Sequence, residues 1–578
     1  MGEMVKQVLT RPLQLADQIT KAADEANQFR PECHELQTKI QKLSDLIRQL
    51  DRVSNDLYER PTRRIIDQTE QVLEKAFALV DKCRTRSVLK RAFTIINNAA
   101  FRKMSTQIDN CIGDVTWLLR VSATCNDDDG GGGGGGHLGL PPIAQNEPIL
   151  CLIWEHIAHL LSGSLEERSD AAAQLASLAR DNDHYGRLII EEGGVGPLLK
   201  LVKEGSPEGQ DHAVRGIGLL GRDTESIEQI VNAGVATVFE KILKDGMMKV
   251  QAMVAWAVAE LVARCPKFQD HFGQTNVIRM LVSHLGFEIV QEHSKYEIGI
   301  NCHKISINSP SSSRSDLDDD KQATVAIEDA TTKAEMKAMA AKAIWQLSKG
   351  NVSICKYVSE SKALLCLAML LERGNNEAKY NSAMALMEIT DMAELDTDLR
   401  RSAFKPSSPA VKTITEQLLK TITVENKHLL IPSIRSIGNL ARTFRATEAH
   451  IIDPLVNLLE EKEPDVMLEA INALIKFACP NNYLHVTHCK RIIERNGVKH
   501  LVQLVYFGEQ MVQIPALILM CYVSLHVPEN HELAQEDVLI VLEWATKQGH
   551  IMLDPKVVGI LPIAKGRLEL YQSKGTKF

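Results

Sequence analysis

The chain has 578 residues, of which 5% are aromatic and 24% charged, and its formal net charge is −8. That length is more than one hydrophobic core can fill, so it requires several domains or an extended array. The acidic balance excludes a general pull toward nucleic acid, and no apolar run reaches membrane-spanning length.

The opening MGEMVKQVLTRP carries charges where a secretory signal has its apolar core. Lys6 stands where a myristoylation pattern wants Ser or Thr. The 12 cysteines are scattered through helical segments without a framework, which points to reduced core thiols. The expected setting is the cytoplasm or the nucleus, with peripheral contact at the plasma membrane as a further option.

Residues 1–125 read as four helices. The first runs through about 4–29 and is open to a bend at Pro12. In the second, Leu36, Ile40, Leu43, Ile47 and Leu50 follow a 4-3-4-3 spacing, which is a heptad seam. Pro61 sits at the start of the third, where a missing N–H does no harm. That helix carries Ile65, Ile66, Val72, Leu73, Ala76, Phe77 and Val80 inward. A fourth covers about 89–121 with a break near Asn97 and Asn98. Short connections between four helices predict an antiparallel four-helix bundle. Between Lys82 and Ile108 lie Lys82, Arg84, Arg86, Lys90, Arg91, Arg102 and Lys103, and no acid. These form a candidate face for anionic membrane or an acidic partner. Balance by acids on neighbouring helices is the favoured reading, because residues 1–122 hold 20 basic against 16 acidic side chains.

Residues 126–146 contain NDDDGGGGGGG, which buries nothing and predicts a flexible linker between two parts free to move. From 147 a repeat begins. RSDAAAQLASLARDNDHYGRLIIEEGGVGPLLKLVKEG, Arg168–Gly205, reads as paired amphipathic helices turned by Gly193-Gly194. Leu178, Leu220, Leu261, Leu347, Ile389, Leu440, Phe477 and Val523 mark successive copies about 42 residues apart. Gly194-Val195, Gly234-Val235, Asn276-Val277 and Gly497-Val498 supply a second landmark in the same register. A helical repeat of this period with a sharp turn before its last two helices predicts an armadillo-repeat, right-handed superhelical solenoid, so the chain is all-α. Its first block is 147–289 and its second, with a C-terminal cap, 333–574. The cap is expected to be more polar, because an apolar end face would be left in water. The Ser/Asp-rich stretch 290–332 accounts for the double interval before Leu347 and predicts a disordered insertion, with the Ser run beside Arg314 as a candidate phosphorylation site. AELDTDLRRSAFKPSSPA reads as a smaller interruption before Leu440.

No phosphate loop, nucleophile elbow or HExxH motif appears, so no enzyme, cofactor or small-molecule substrate is expected. Cys479, His485, His488 and Cys489 have the chemistry of zinc ligands. One Cys followed by HxxHC matches no common structural site, and no metal is expected. Function therefore rests on surface. Just before each register mark, one position points along the groove formed by the last helix of each repeat. It holds Glu260, Gln346, Glu388, Asn439 and Lys476, and four residues earlier stand Arg215, Trp256 and Arg435. These are the candidate partner-binding residues. A repeated Trp/Asn peptide clamp, as nuclear-import adaptors carry, is missing: only Trp256 appears, followed by Glu260, and core burial is the more common fate for a Trp in a helix as apolar as AMVAWAVAELVA. The groove predicts a folded or charged protein partner, with a peptide carrier and a membrane-associated bundle as alternatives.

SNDLYERPTRRIIDQTEQVLEKA (54–76), AFRKMSTQIDNCIGDVTWLLRVS (100–122) and LGLPPIAQNEPILCLIWEHI (138–157) resemble the plant armadillo-repeat-only proteins. The likeness covers nearly the whole chain, with the bundle before the repeats. It implies a non-enzymatic scaffold that links activated, GTP-loaded Rho-type plant GTPases to GTPase-activating proteins in polarised tip growth and actin organisation. No binding motif of the family transfers residue by residue.

Overall fold

In the computed structural model, residues 2–52, 59–84, 98–124, 140–145, 147–222, 224–286, 330–423 and 427–575 are described, and all regular structure among them is helical. The chain divides into two compact units, Met1–Ala233 and Gly234–Phe578.

The first unit opens with α1 (Gly2–Asp24), α2 (Arg30–Arg52), α3 (Glu59–Cys83) and α4 (Asn98–Thr124). Pro12 lies inside α1 without ending it. The heptad seam of α2 is realised: Leu36, Ile40, Leu43, Ile47 and Leu50 are all buried in one core with Ile65, Ile66, Leu73 and Val80 of α3. Consecutive helices alternate in direction, as short connections require. The neighbours in cross-section are less expected. α1 lies beside α3 and parallel to it. Arg11 pairs with Glu70 at 2.5 Å and with Glu74 at 2.9 Å, while the Asn27 N–H donates to the Cys83 carbonyl at 3.0 Å at the far ends. α2 and α4 are paired the same way, with Lys39 on Asp109 at 2.6 Å and Phe29 against Phe101.

The connector expected to be free up to residue 146 is partly held. Its glycine tract lies outside the described residues, but Pro142–Ala144 forms a 3-10 turn against α4. The Ile143 N–H donates to Asp114 Oδ1 at 2.8 Å. Pro142 packs so close to Gly113 that a Cβ there would come within 2.7 Å of its Cγ, which is why glycine stands at that point of α4.

Next come α5 (Ile149–Ser162) and α6 (Leu165–Asp181), the latter begun by a capping box between Ser164 and Glu167. Then the three-helix repeat appears in full: α7 (Asp183–Glu191), α8 (Val195–Glu204) and α9 (Pro207–Leu220), with α10 (Thr224–Asn232) beginning another. Gly193, at φ +80°, takes the left-handed conformation that turns α7 into α8. The bundle is seated on these helices. Trp117 of α4 lies 6.1 Å from Trp154 of α5, centre to centre. The Trp154 indole N–H donates to Glu192 at 2.8 Å, and Arg64 of α3 closes on the other carboxylate oxygen. Glu192 is 3% exposed. Two buried carboxylates, Asp114 and Glu192, thus tie bundle, connector and first repeat together.

The second unit continues the pattern with α11 (Val235–Asp245), α12 (Met248–Arg264), α13 (Lys267–Gly273) and α14 (Val277–Leu285), then α15 (Ala330–Ser348). α15 packs directly on α12, so the long insertion sits between the second and third helices of one repeat and no repeat is missing. α16 (Val352–Glu360), α17 (Ala363–Arg373) and α18 (Asn376–Leu395) follow. The stretch read as a smaller interruption is instead part of the next repeat: it contains α19 (Thr397–Ala403), a short first helix, before α20 (Pro409–Thr423) and α21 (Lys427–Asn439). The interval from Leu440 to Phe477 is shorter than the others, and it has its own cause. The next unit reduces its first helices to a 3-10 turn, Ala446–Ile451, and α22 (Ile452–Asn457), ahead of α23 (Pro464–Ala478). α24 (His485–Glu494), α25 (Gly497–Phe507) and α26 (Gln510–His526) form a regular repeat, and α27 (Glu532–Gln535), α28 (Val538–Thr546) and α29 (Pro555–Gly575) are the last helices. Each third helix, α12, α15, α18, α21, α23, α26 and α29, packs on the next. This is an all-α solenoid of three-helix repeats.

A repeated polar device holds second helix to third. Gln210, Gln251 and Gln513 each donate a side-chain N–H to a carbonyl eight residues earlier, on Val202, Leu243 and Val505, at 2.8, 3.0 and 2.6 Å. Those carbonyls belong to the last turn of the second helix, where no intrahelical donor reaches them.

Candidate binding face of the third helices

The third helices of the second unit set their half-exposed side chains in a row, because each helix buries the rest of its surface against its neighbours. Trp256 on α12 is half-buried and belongs to this face, not to the core. One turn on, Glu260 reaches across to Lys342 of α15 at 2.8 Å and to Arg264 at 3.5 Å. Lys342 occupies, one repeat later, the place that Trp256 holds. Gln346 is half-buried, and its carbonyl accepts from Gln269 of α13 at 3.1 Å.

On α18 the face turns acidic. Burial pushes the Glu388 carboxyl up from its usual range; Asp391 adds to this, and Lys349, Trp345 and Arg435 oppose it. Asp391 is also pushed up by burial, against the hydrogen bond from Asn439 and the charges of Arg435 and Lys476. Arg435 of α21 pairs with Glu469 of α23 at 3.1 Å. Lys476 of α23 pairs with Glu394 of α18 at 2.5 Å.

Asn439 departs from the sequence reading. It is 1% exposed and offers nothing to a ligand. Its amide donates to Thr390 Oγ1 at 3.1 Å and to Asp391, and its carbonyl accepts from Lys476. The side chain braces three successive third helices. The register argument treated one helix at a time. It missed that Thr390 and Asp391 of α18 and Lys476 of α23 meet over it, with α23 held close to α21 where Gly438 lies against Ala473.

Arg215 lies in the first unit, on α9, half-exposed and 3.6 Å from Asp211 of the same helix. The structure does bring Trp256, Glu260, Gln346, Glu388, Arg435 and Lys476 onto one succession of packed helices. It adds residues the register passed over. Trp345 stands edge-on to Tyr380 at 5.9 Å, beside Met384, which is half-buried on the same helix at the register position that Trp256 and Lys342 hold. Trp345 sits one residue off the expected position, so a strict reading of one position per repeat could not find it.

On the bundle, Arg84 pairs with Glu25 and with Asp81 at 3.0 Å, and Arg102 and Lys103 are exposed. Lys82 is also in the described part, whereas Arg86, Lys90 and Arg91 lie outside it. The four candidate zinc ligands have other partners. His488 donates from Nδ1 to the Phe477 carbonyl at 3.2 Å, and His485 from Nδ1 to the Asn482 carbonyl at 2.8 Å. The Cys479 thiol donates to the Lys476 carbonyl, and Cys489 is fully buried, with its thiol pKa pushed well above the usual range by desolvation. Among the described residues no three His, Cys, Asp or Glu side chains gather as a metal site. None of the described helices is long and apolar enough to cross a membrane.

Comparison with known proteins adds the following. Residues 6–123 match a family model described as a domain of unknown function (DUF7792). No curated protein matches the chain. The crystal structure of an engineered protein is similar over 72% of this chain and 88% of its own, at 20% identity and a TM-score of 0.55. A designed armadillo repeat protein is similar over 56% of this chain and 98% of its own, at 18% identity and a TM-score of 0.34. Another, in complex with the peptide (KR)4, is similar over 49% and 98%, at 18% identity and a TM-score of 0.36.

Proposed function

We propose that this chain is a non-enzymatic protein-binding scaffold whose partner lies along the third helices of the second unit. The observation that carries this is the row Trp256, Trp345, Tyr380 and Met384, half-exposed apolar and aromatic side chains flanked by charges that are already paired between repeats. Aromatic and Met side chains are enriched at the centres of protein interfaces, where they bury much area at low entropic cost. The paired charges make the face stiff and leave little net charge to attract a purely basic or purely acidic peptide. A folded partner with a small apolar patch and a mixed rim fits best.

The likeness of Ser54–Ala76, Ala100–Ser122 and Leu138–Ile157 to plant armadillo-repeat-only proteins extends the proposal. On that reading the partner is a GTP-loaded Rho-type plant GTPase, and the scaffold brings it a GTPase-activating protein in polarised growth. The test is a pull-down with the GTPase loaded with GTP analogue or GDP, using the full chain and a Trp256→Ala/Met384→Glu variant. Retention of the GTP form alone, lost in the variant, supports both partner and face. Retention by the variant moves the site off the third helices. No retention of either form removes the GTPase and leaves the scaffold reading to other partners.

A further inference from the structure

We propose that Cys33 and Cys83 are a redox staple: a glutathione-type disulfide oxidises them to a disulfide that fastens the turn between α1 and α2 onto the end of α3. Cys33 lies near the start of α2 and Cys83 is the last residue of α3, and both are fully buried free thiols. Gln28 touches both. Its N–H donates to the Cys83 carbonyl at 3.3 Å, and its carbonyl accepts from the Cys33 thiol at 3.9 Å. The two thiols are also hydrogen-bonded to each other. Cys111, Cys355, Cys366 and Cys521 are buried too, but none of them has a second thiol as a hydrogen-bond partner.

The burial that brings the thiols together also protects them. It pushes the Cys33 thiol up to about 12, with Cys83 and Glu32 adding to this, and it raises Cys83 as well. The thiolate is the form that attacks a disulfide, so the closed bundle reacts slowly. Oxidation therefore needs this end to open, and the end is built on a strained turn. Phe29 sits at φ +51°, where a bulky side chain is an outlier. Its ring is held against Phe101 of α4, with centroids 5.3 Å apart, and the turn is tied down by the Asn27 and Gln28 N–H groups on the Cys83 carbonyl. The Phe29 carbonyl accepts from the Cys33 N–H at 2.9 Å, so a relaxing turn frees the first turn of α2. A surface cavity lined by Ala26, Asn27, Arg30, Asp81 and Arg84 lies at the same end and gives a small oxidant its approach.

In the opened end, one protein thiolate attacks the disulfide of the oxidant and releases one glutathione thiolate. The second protein thiolate then attacks the protein sulfur of the mixed disulfide and releases the other. One S–S bond breaks in the oxidant and one forms between Cys33 and Cys83. Two electrons pass to glutathione, and the two protons lost by the protein thiols end on the two leaving thiolates. The new bond closes a loop of about 50 residues, which removes open conformations of this end from the ensemble. Opening thus sets the staple, and the staple then keeps the end closed until a thiol reduces it. It is independent of what the third-helix row binds.

The experiment incubates the full chain with oxidised glutathione, blocks the remaining thiols and maps its peptides without reduction. The expected product is a Cys33–Cys83 link, with hydrogen exchange at the Asn27 and Gln28 amides slowed at least about tenfold relative to the reduced chain. Neither readout needs a variant to fold. Phe101→Ala, which frees the Phe29 ring, should form the link at least about tenfold faster than wild type. Cys33→Ala should show no slowing of exchange under the same oxidant. A wild type that stays unlinked, both in buffer and in urea below its unfolding midpoint, overturns the proposal. A link without slower exchange overturns the staple, and a Phe101→Ala rate equal to wild type overturns its gating by the strained turn.

Discussion

Charge does opposite work at two places in this molecule. At the seat of the bundle, Glu192 is buried between Arg64 and the Trp154 indole, and Asp114 is buried against one backbone N–H. On the third helices, Glu260, Lys342, Arg435, Glu469, Glu394 and Lys476 pair while half-exposed. A buried carboxylate has lost its water, so each hydrogen bond it keeps decides whether it is tolerated. A half-exposed pair gains little from its attraction because water screens it. The first place should be energetically sharp. The second should be soft in energy but stiff in geometry, as suits a surface that meets a partner.

The contrast can be broken by substitution. Glu192→Ala removes the acceptor of two donors and leaves the Trp154 N–H buried without a partner. The expected loss is about 2–3 kcal/mol, read by urea unfolding of the full chain. A loss below about 0.5 kcal/mol would mean that the junction is not held by this carboxylate. Asp114→Asn should act in the other direction. Burial pushes the Asp114 carboxyl up to about 6 from 3.8, so the folded state holds its proton more tightly than the unfolded chain. The cost of its charge is therefore absent below about pH 4 and complete above about pH 6. Asparagine keeps an acceptor for Ile143 and carries no charge, so the variant should gain about 2 kcal/mol at pH 7 and nothing at pH 3.5. An equal change at both pH values would show that ionisation is not the cause.

Gly113→Val tests the connector alone. Its side chain must displace Pro142, at an expected cost of about 1–2 kcal/mol, with faster hydrogen exchange at the Ile143 amide as the specific sign. Unchanged exchange there would show that the turn follows α4 without that close contact. The smallest effect belongs to the face. Glu260→Ala should cost less than about 1 kcal/mol and still less in high salt. A loss as large as that of Glu192→Ala would erase the distinction between the two regions.

Much of this was legible in the chain. The 4-3-4-3 run from Leu36 to Leu50 named the bundle seam, because an apolar stripe at helical spacing has no other stable use. The marks from Leu178 to Val523 named the repeat, and their double interval pointed to the long insertion read as 290–332. What failed were statements about neighbours. Asn439 looked like a ligand-facing amide until α18 and α23 closed over it. Trp345 and Tyr380 escaped a rule of one position per repeat.

By itself, the sequence determined which segments are helical, which stripe of each is apolar, and that the units repeat, since all three depend on spacings within one helix or between equivalent helices. Only the tertiary structure decided that α1 lies parallel beside α3, that Glu192 receives Arg64 and Trp154, and that Asn439 is buried. Each of these depends on which helix approaches which, and how closely. That is settled by packing among residues far apart in the chain, where local spacing carries no information.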